Sequence, residues 1–420
     1  MKQKFSVAII GCGNRGAETY GVLLSERKDE FEIVALCDFN SERLKNYGAR
    51  FGVPESGLFL DEKQFFEKKR ADILVVATMD ADHVRQSIRA LELGYDLLLE
   101  KPVSDKKEEL EALLAAQQKS GRKILVCHVL RYAPAFRKAA ELIKSGAIGK
   151  LVAIQSIEQV AYWHQAHSFV RGNWRRRDET APMILAKCCH DLDLLQYYAG
   201  SRCKSISSVG DLAHFKPENA PKGAADRCLN CALVETCPYS AKKIYLDTFE
   251  DAGRPAAIWP HIQITSAYPL TREALIEALE KGPYGRCAYA CDNDVVDHQL
   301  TDIVFENGVK ATLTMTAFTS AIGRIMKFFG THGEVVLNEE ENYVRLKPFG
   351  GTMENYPISE LVAKDSAHGG GDRGLVDSLY AMLTGGADET TSLVHSVESH
   401  LMAICAEESR LAGGKLVEVH

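Results

Sequence analysis

Residues 4–16 read KFSVAIIGCGNRG, and their interpretation decides the fold. KFSVAII is an apolar run of strand length, GCGNRG follows with no spacer, and residues 17–25 continue as a helix. Strand, glycine turn and helix in that order form the context in which G-x-G-x-x-G binds a dinucleotide. Gly11 permits the tight turn, Gly13 lets the backbone approach a pyrophosphate, and Gly16 lets the helix pack against the strand. The helix N-terminus then offers unpaired N–H groups to the phosphates. A second strand at residues 31–37 ends in Asp38, at the distance expected of an acid that binds a ribose 2′-hydroxyl. That acid repels a 2′-phosphate, so NAD is expected in preference to NADP. Arg43 is the nearest cation.

Further along, residues 71–77 (ADILVVA) form a buried strand that exits at Thr78-Met79-Asp80, before a helix starting near Asp82 or His83. Residues 95–99 form another, closed by Glu100-Lys101-Pro102. Proline cannot continue a strand ladder, so Lys101 is held just past a strand end, on the ligand side of the sheet. A lysine beside a positively charged nicotinamide is pushed toward its neutral form and can move a proton. The residues alone leave open the alternative of a surface lysine on a loop.

GCGNRG followed by EKP resembles the glucose-fructose oxidoreductase / inositol dehydrogenase / rhizopine-catabolism (Gfo/Idh/MocA) family, and the resemblance runs along essentially the whole chain. It implies an α/β protein: an N-terminal Rossmann domain (residues 1–127), then an α+β domain (residues 128–420) with a large, mostly antiparallel open sheet. It implies oxidation or reduction of a secondary alcohol on a sugar, cyclitol or glycoside. Lys101 becomes the catalytic lysine. Gly11, Gly13, Asn14, Arg15, Gly16 and Asp38 become cofactor contacts, with Thr78, His83 and Glu100 flanking them.

The same resemblance marks His128 and Arg131, where an Arg precedes an aromatic residue as the chain passes between domains. It also places a histidine near the catalytic lysine, and His190 matches it. The aspartate that often stands four residues earlier is absent, with Ala186 in its place. Lys187 with His190 is therefore expected to do the acid–base work, beside Asp191; Asp193 matches a further family aspartate. From the residues themselves, YWHQAHSFVRGNWRRR at 162–177 is dense in donors and rings suited to a sugar. His164, His167, Arg171, Asn173 and Trp174 are candidate wall residues, the alternative being a solvated loop. His298, at the head of a hairpin turning on Asn307-Gly308, is a further candidate.

The chain has 420 residues, 46% hydrophobic and 25% charged, which suits a globular protein with more than one domain. A net charge of −7 gives no nucleic-acid footprint, and Arg175-Arg176-Arg177 is offset by Asp178-Glu179. No apolar run approaches the ~18 residues of a membrane span. MKQKFSVAII leads straight into the first strand and does not read as a signal peptide. The expectation is a cytoplasmic enzyme acting on a small carbohydrate or polyol, without membrane or nucleic-acid partners. Relatives dimerise or tetramerise through the open sheet, so a homodimer or homotetramer is expected.

Of the twelve cysteines, Cys12, Cys37, Cys127 and Cys405 sit in apolar patterns and read as small hydrophobes. Cys228, Cys231 and Cys237 form C-x2-C-x5-C-P, a metal-ligand spacing, and Cys287 is the expected fourth ligand. A structural zinc ion is the first expectation, to pin an insertion at residues 205–290 that reads as having little core of its own. An iron–sulfur cluster is the rival, since the spacing and trailing proline are loosely ferredoxin-like. Unliganded thiols or a disulfide remain open. Three other functions stay open too: a glycosidase working through transient oxidation, a non-catalytic NAD-binding sensor, and an electron-transfer protein.

Overall fold

Six strands pair in parallel: β1 (Phe5–Ile10), β2 (Phe31–Cys37), β3 (Leu58–Phe59), β4 (Ile73–Val76), β5 (Asp96–Leu99) and β6 (Ile124–Val126). A parallel sheet is covered by helices on both faces, so its strands must be apolar throughout; ILVV of β4 is buried at every position. The order is β3-β2-β1-β4-β5-β6. It reverses direction between β1 and β4, and a ligand crevice opens at the carboxyl ends around such a switch point. Gly11, Asp38, Thr78 and Lys101 all leave the sheet at that end. The computed structural model describes residues 3–252, 259–267, 269–362, 367–386 and 391–420.

Nine strands make the second sheet: β7 (Leu151–Gln159), β8 (Cys203–Asp211), β9 (His298–Phe305), β10 (Lys310–Thr316), β11 (Gly323–Gly330), β12 (Gly333–Asn338), β13 (Tyr343–Pro348), β14 (Glu354–Pro357) and β15 (Val417–Glu418). β7 and β10 pair in parallel, and the other neighbours are antiparallel, giving the mostly antiparallel sheet expected. Alternation sends Ala311, Leu313 and Met315 of β10 inward. The β9–β10 hairpin turns where the sequence predicts: Gly308 has φ +87° and Phe305 N–H donates to Val309 O at 2.9 Å. The inward face packs on helices Pro134–Lys144, Cys189–Ala199 and Leu393–Leu411.

The last of these helices joins the two sheets. Glu398 Oε1 accepts from Cys203 N–H at 2.8 Å, at the start of β8. His400 Nε2 accepts from Val103 N–H at 2.8 Å, directly behind Lys101-Pro102. Its Nδ1 lies 2.5 Å from Ser396 O and so carries the ring proton. The strand end carrying Lys101 is thereby tied to the body of the second sheet.

The structure departs from the sequence reading in two places that matter. The apolar pattern of MILAKCCHDLDLLQYY at residues 183–198 suits one helix, but there are two, Met183–Ala186 and Cys189–Ala199, with Lys187 and Cys188 between them. The insertion was expected to lack a core, yet Phe215, Tyr239, Tyr245, Leu275, Leu279 and Tyr284 are buried together in one cluster. Its aromatic residues follow neither a helical nor a strand period, so periodicity does not reveal them.

Candidate active site

A methyl group on Gly16 would lie 1.9 Å from Gly11 O, and one on Gly11 would lie 2.4 Å from Ala77 O. Gly11 also has φ +87°, which side chains rarely adopt. At Gly13 nothing lies within 4 Å of that position, so the backbone face is open. Packing therefore demands two of the glycines, and the third leaves the room that a pyrophosphate needs. Asp38 is buried at the end of β2; its carboxylate accepts from Cys12 N–H and Asn40 N–H, each at 2.8 Å. The acid is thus braced across the glycine turn, and these residues fit NAD. Arg43 Nη1 lies 3.4 Å from Asp38 Oδ2.

Arg15, expected on the cofactor, directs its guanidinium elsewhere. Nε donates to Glu100 Oε1 at 2.7 Å, and Nη2 donates to Asp372 Oδ1 at 2.7 Å and to Tyr20 Oη at 2.5 Å. Burial would raise the Glu100 carboxyl, but the Arg15 and Lys101 charges outweigh it and hold it below the usual carboxylate range. Glu100 Oε2 accepts from Lys101 N–H at 2.9 Å. The glutamate of EKP is therefore an anchor between the glycine turn and the lysine. His83 and Thr78 are braces as well. His83 Nδ1 lies 2.7 Å from Pro102 O, and Thr78 Oγ1 donates to Gln86 Oε1 at 2.7 Å.

Lys101 Nζ lies 3.4 Å from the carbonyl oxygen of Ala186, the residue standing where the resemblance expects an aspartate. Burial, then the Lys101 charge, holds the His190 imidazole well below its ordinary range. It is neutral at pH 7, and its Nδ1 has no partner among the described residues. The His128 ring stands edge-on to it, centroids 5.9 Å apart, and is likewise kept neutral, chiefly by burial. His164 is held well below its ordinary range by burial and then by the Lys187 charge.

Beside them lies a network of charges. Lys187 Nζ is 2.7 Å from Glu158 Oε1, and Arg324 Nη2 is 2.8 Å from Glu158 Oε2. Arg324 Nε lies 2.8 Å from Asp191 Oδ1. The β7–β11 register places Arg324 directly opposite Glu158. Lys187 and Asp191 are thus ion-paired rather than free. Glu158 and Arg324 were not among the sequence candidates, although a signal existed: each occupies an inward position of its strand, among Ile154 and Ser156 or Met326 and Phe328. Asp372, paired with Arg15 and 2.7 Å from His368 Nδ1, was also missed, and no local pattern marks it.

The remaining candidates make contacts of their own. Arg131 grips Asp193 with two bonds of 2.7 Å, which makes both residues part of a buried brace. His167 is buried in the insertion, with Nδ1 2.7 Å from Tyr245 Oη, Nε2 2.5 Å from Gln263 Oε1, and its ring stacked on Tyr284 at 5.0 Å. Arg171 is buried there too. His298 Nδ1 is 2.9 Å from Asp297 Oδ1. Trp174 does reach the first sheet, with Nε1 3.3 Å from Asp80 Oδ2, and Asn173 Nδ2 is 4.0 Å from Met79 Sδ.

The expectation of one zinc ion is not met. Among the described residues, no three His, Cys, Asp or Glu side chains converge where a single ion would sit. Zinc at about 2.3 Å from each thiolate requires tightly converging sulfurs. All twelve cysteines are free of disulfides, and Cys228, Cys231, Cys237 and Cys287 instead border one small cavity.

Comparison with known proteins agrees with the fold and the glycine turn. Residues 5–128 match the model of an oxidoreductase family with an NAD-binding Rossmann fold, and residues 136–232 match the GFO/IDH/MocA C-terminal domain. The chain is 25% identical to the oxidoreductase-named protein YteT of Bacillus subtilis (strain 168), covering 89% of this chain and 88% of YteT. It is 24% identical to inositol 2-dehydrogenase of Arthrobacter sp. (strain FB24), over 69% of this chain and 78% of that one. An Agrobacterium radiobacter oxidoreductase, solved with NAD+, L-tartaric acid and magnesium, shares the fold. Its TM-score is 0.68 at 14% identity, covering 99% of each chain. Among the described residues no helix is long and apolar enough to cross a membrane. With matching models in tandem on its two sheets, the chain belongs to the Gfo/Idh/MocA family of NAD-binding oxidoreductases.

Proposed function

We propose that this chain interconverts a secondary alcohol and a ketone on a sugar, cyclitol or glycoside, with NAD as the redox partner. The observation that carries the reading is the position of Lys101. It stands at the carboxyl end of β5, anchored through Glu100 and Arg15 to the glycine turn, with Nζ 3.4 Å from Ala186 O and the neutral His190 beside it. NAD, when bound, supplies the hydride acceptor for alcohol oxidation. Lys101 takes the hydroxyl proton, and the neutral His190 can hydrogen-bond the same oxygen without carrying charge.

The remaining residues bind and orient. Lys187, held by Glu158, presents a fixed ammonium for substrate hydroxyls, and the Arg324–Asp191 pair keeps that arrangement rigid. His164 and Trp174 offer ring faces to the C–H side of a sugar. Fixed donors of this kind need no reorganisation as charge develops.

A panel of cyclitols, free sugars and aryl glycosides with added NAD tests the reading. Accumulating NADH with a ketone product supports it. Aglycone release without net NADH replaces it by redox-assisted glycoside cleavage. Binding of NAD with no turnover across the panel argues for a sensor.

A further inference from the structure

We infer that Cys228, Cys231, Cys237 and Cys287 hold a polynuclear iron–sulfide cluster of the [4Fe–4S] class, with Arg171 as its buried counter-charge. The fold brings these cysteines together from distant stretches. Cys228 opens a short turn in which Cys231 N–H donates to Cys228 O at 3.1 Å. Cys237 N–H donates to Leu233 O at 2.9 Å, closing the next turn. An antiparallel bridge pairs Arg227 with Arg286 and sets Cys228 beside Cys287. Cys287 N–H donates to Asp226 O at 2.8 Å. All four cysteines border one cavity of about 20 Å³, with Arg171 on its wall.

Two observations select a cluster. The first is geometric. The four thiols enclose a volume, yet no three of them converge on one ion position. A mononuclear tetrahedral site needs convergence, whereas a cubane is held at four corners by one thiolate each and keeps the thiolates apart.

The second is electrostatic. Arg171 is 1% exposed, and buried charges are normally paired or coordinate metals. Its Nε donates to Arg286 O and its Nη2 to Tyr239 O, each at 2.7 Å, and Nη2 lies 3.5 Å from Cys228 Sγ. Among the described residues Nη1 has no hydrogen-bond partner and no carboxylate pairs with the group. A [4Fe–4S] core with four thiolates carries net negative charge and supplies the missing anion. A 2+ core assembles from two ferric ions, two ferrous ions and four sulfides; each thiol then gives up its proton and forms one Fe–S bond to it, so the assembly needs no further oxidant.

Arg171 ends the helical segment Gln165–Arg171, which begins directly after His164. The cluster would fix that segment from behind. It stands apart from Lys101 and from hydride transfer.

The test is anaerobic purification of the full chain, followed by reconstitution with equal amounts of ferric and ferrous iron and inorganic sulfide. About four irons and about four sulfides per chain, with visible absorption that bleaches on reduction, are expected. Cys237→Ser should lose the iron, while Cys291→Ser, a neighbour outside the cavity wall, should keep it. If Cys237→Ser does not fold, alkylation of the folded wild type decides: iron loading should protect these four cysteines and leave Cys291 unprotected. One zinc per chain that iron and sulfide do not displace would overturn the assignment. So would failure of the reconstituted chain to retain iron, or retention that survives Cys237→Ser.

Discussion

Arg324 and Arg171 are both buried, but their surroundings differ. Arg324 lies against two carboxylates, Asp191 and Glu158, and Lys187 completes that group. Arg171 lies against thiols and carbonyl oxygens. The first region is electrically complete from the chain's own residues. In the second, no carboxylate among the described residues pairs with the guanidinium, and the cluster inferred above would supply the anion.

Unfolding experiments can break this comparison. Arg324→Met strands Asp191 and Glu158 in the interior and should cost about 3–5 kcal/mol, the penalty for breaking a buried pair from one side. Arg171→Met in iron-free protein strands only two carbonyl oxygens and should cost about 1–3 kcal/mol. In iron-loaded protein the Arg171→Met loss should grow, because the cluster loses its counter-charge. Urea titration of both preparations measures this. Equal losses for the two variants in iron-free protein would remove the distinction.

Acid titration probes the buried neutral rings. Burial pushes His400 down to about 3 and His167 down to about 4, from an ordinary 6.5. Below pH 6.5 the unfolded chain binds protons that the folded rings refuse. The stabilisation is therefore full above that pH and is lost as the pH falls through the folded values. Each ring contributes a slope of up to about 1.4 kcal/mol per pH unit. His167→Asn should flatten the stability profile between pH 6 and pH 4 by about one proton. An unchanged slope would mean that His167 is not shielded in the insertion.

The smallest effect expected is on cofactor choice. Asp38→Ala removes the ribose acid and releases Arg43 from its pairing, so the preference for NAD over NADP should fall roughly tenfold, the scale of one charge-assisted hydrogen bond. Affinity for both cofactors, measured by fluorescence, checks this. An unchanged ratio would assign Asp38 to bracing Cys12 and Asn40 alone.

The Rossmann half was legible because its signals are local: an apolar run, a glycine turn and an acid at a fixed distance. The hairpin at Asn307-Gly308 was legible for the same reason. The charge network was not, since Glu158 and Arg324 meet only through β7–β11 pairing, and their inward register needs the strands placed first. His167 and Arg171 looked like substrate residues by composition, and Arg131 by the family resemblance. Only packing shows that they are turned into the interior or onto Asp193. The cysteine spacing pointed to metal. Whether the sulfurs converge or enclose a space depends on a bridge between residues 227 and 286, which spacing does not encode.

The most direct test of the account is Lys101→Ala, with NAD affinity and single-turnover oxidation of an identified alcohol measured on the same preparation. The account predicts NAD binding close to wild type and a rate lower by about 10²–10⁴-fold, the worth of a positioned acid–base group. A variant that keeps more than about a tenth of the wild-type rate would contradict the role given to Lys101.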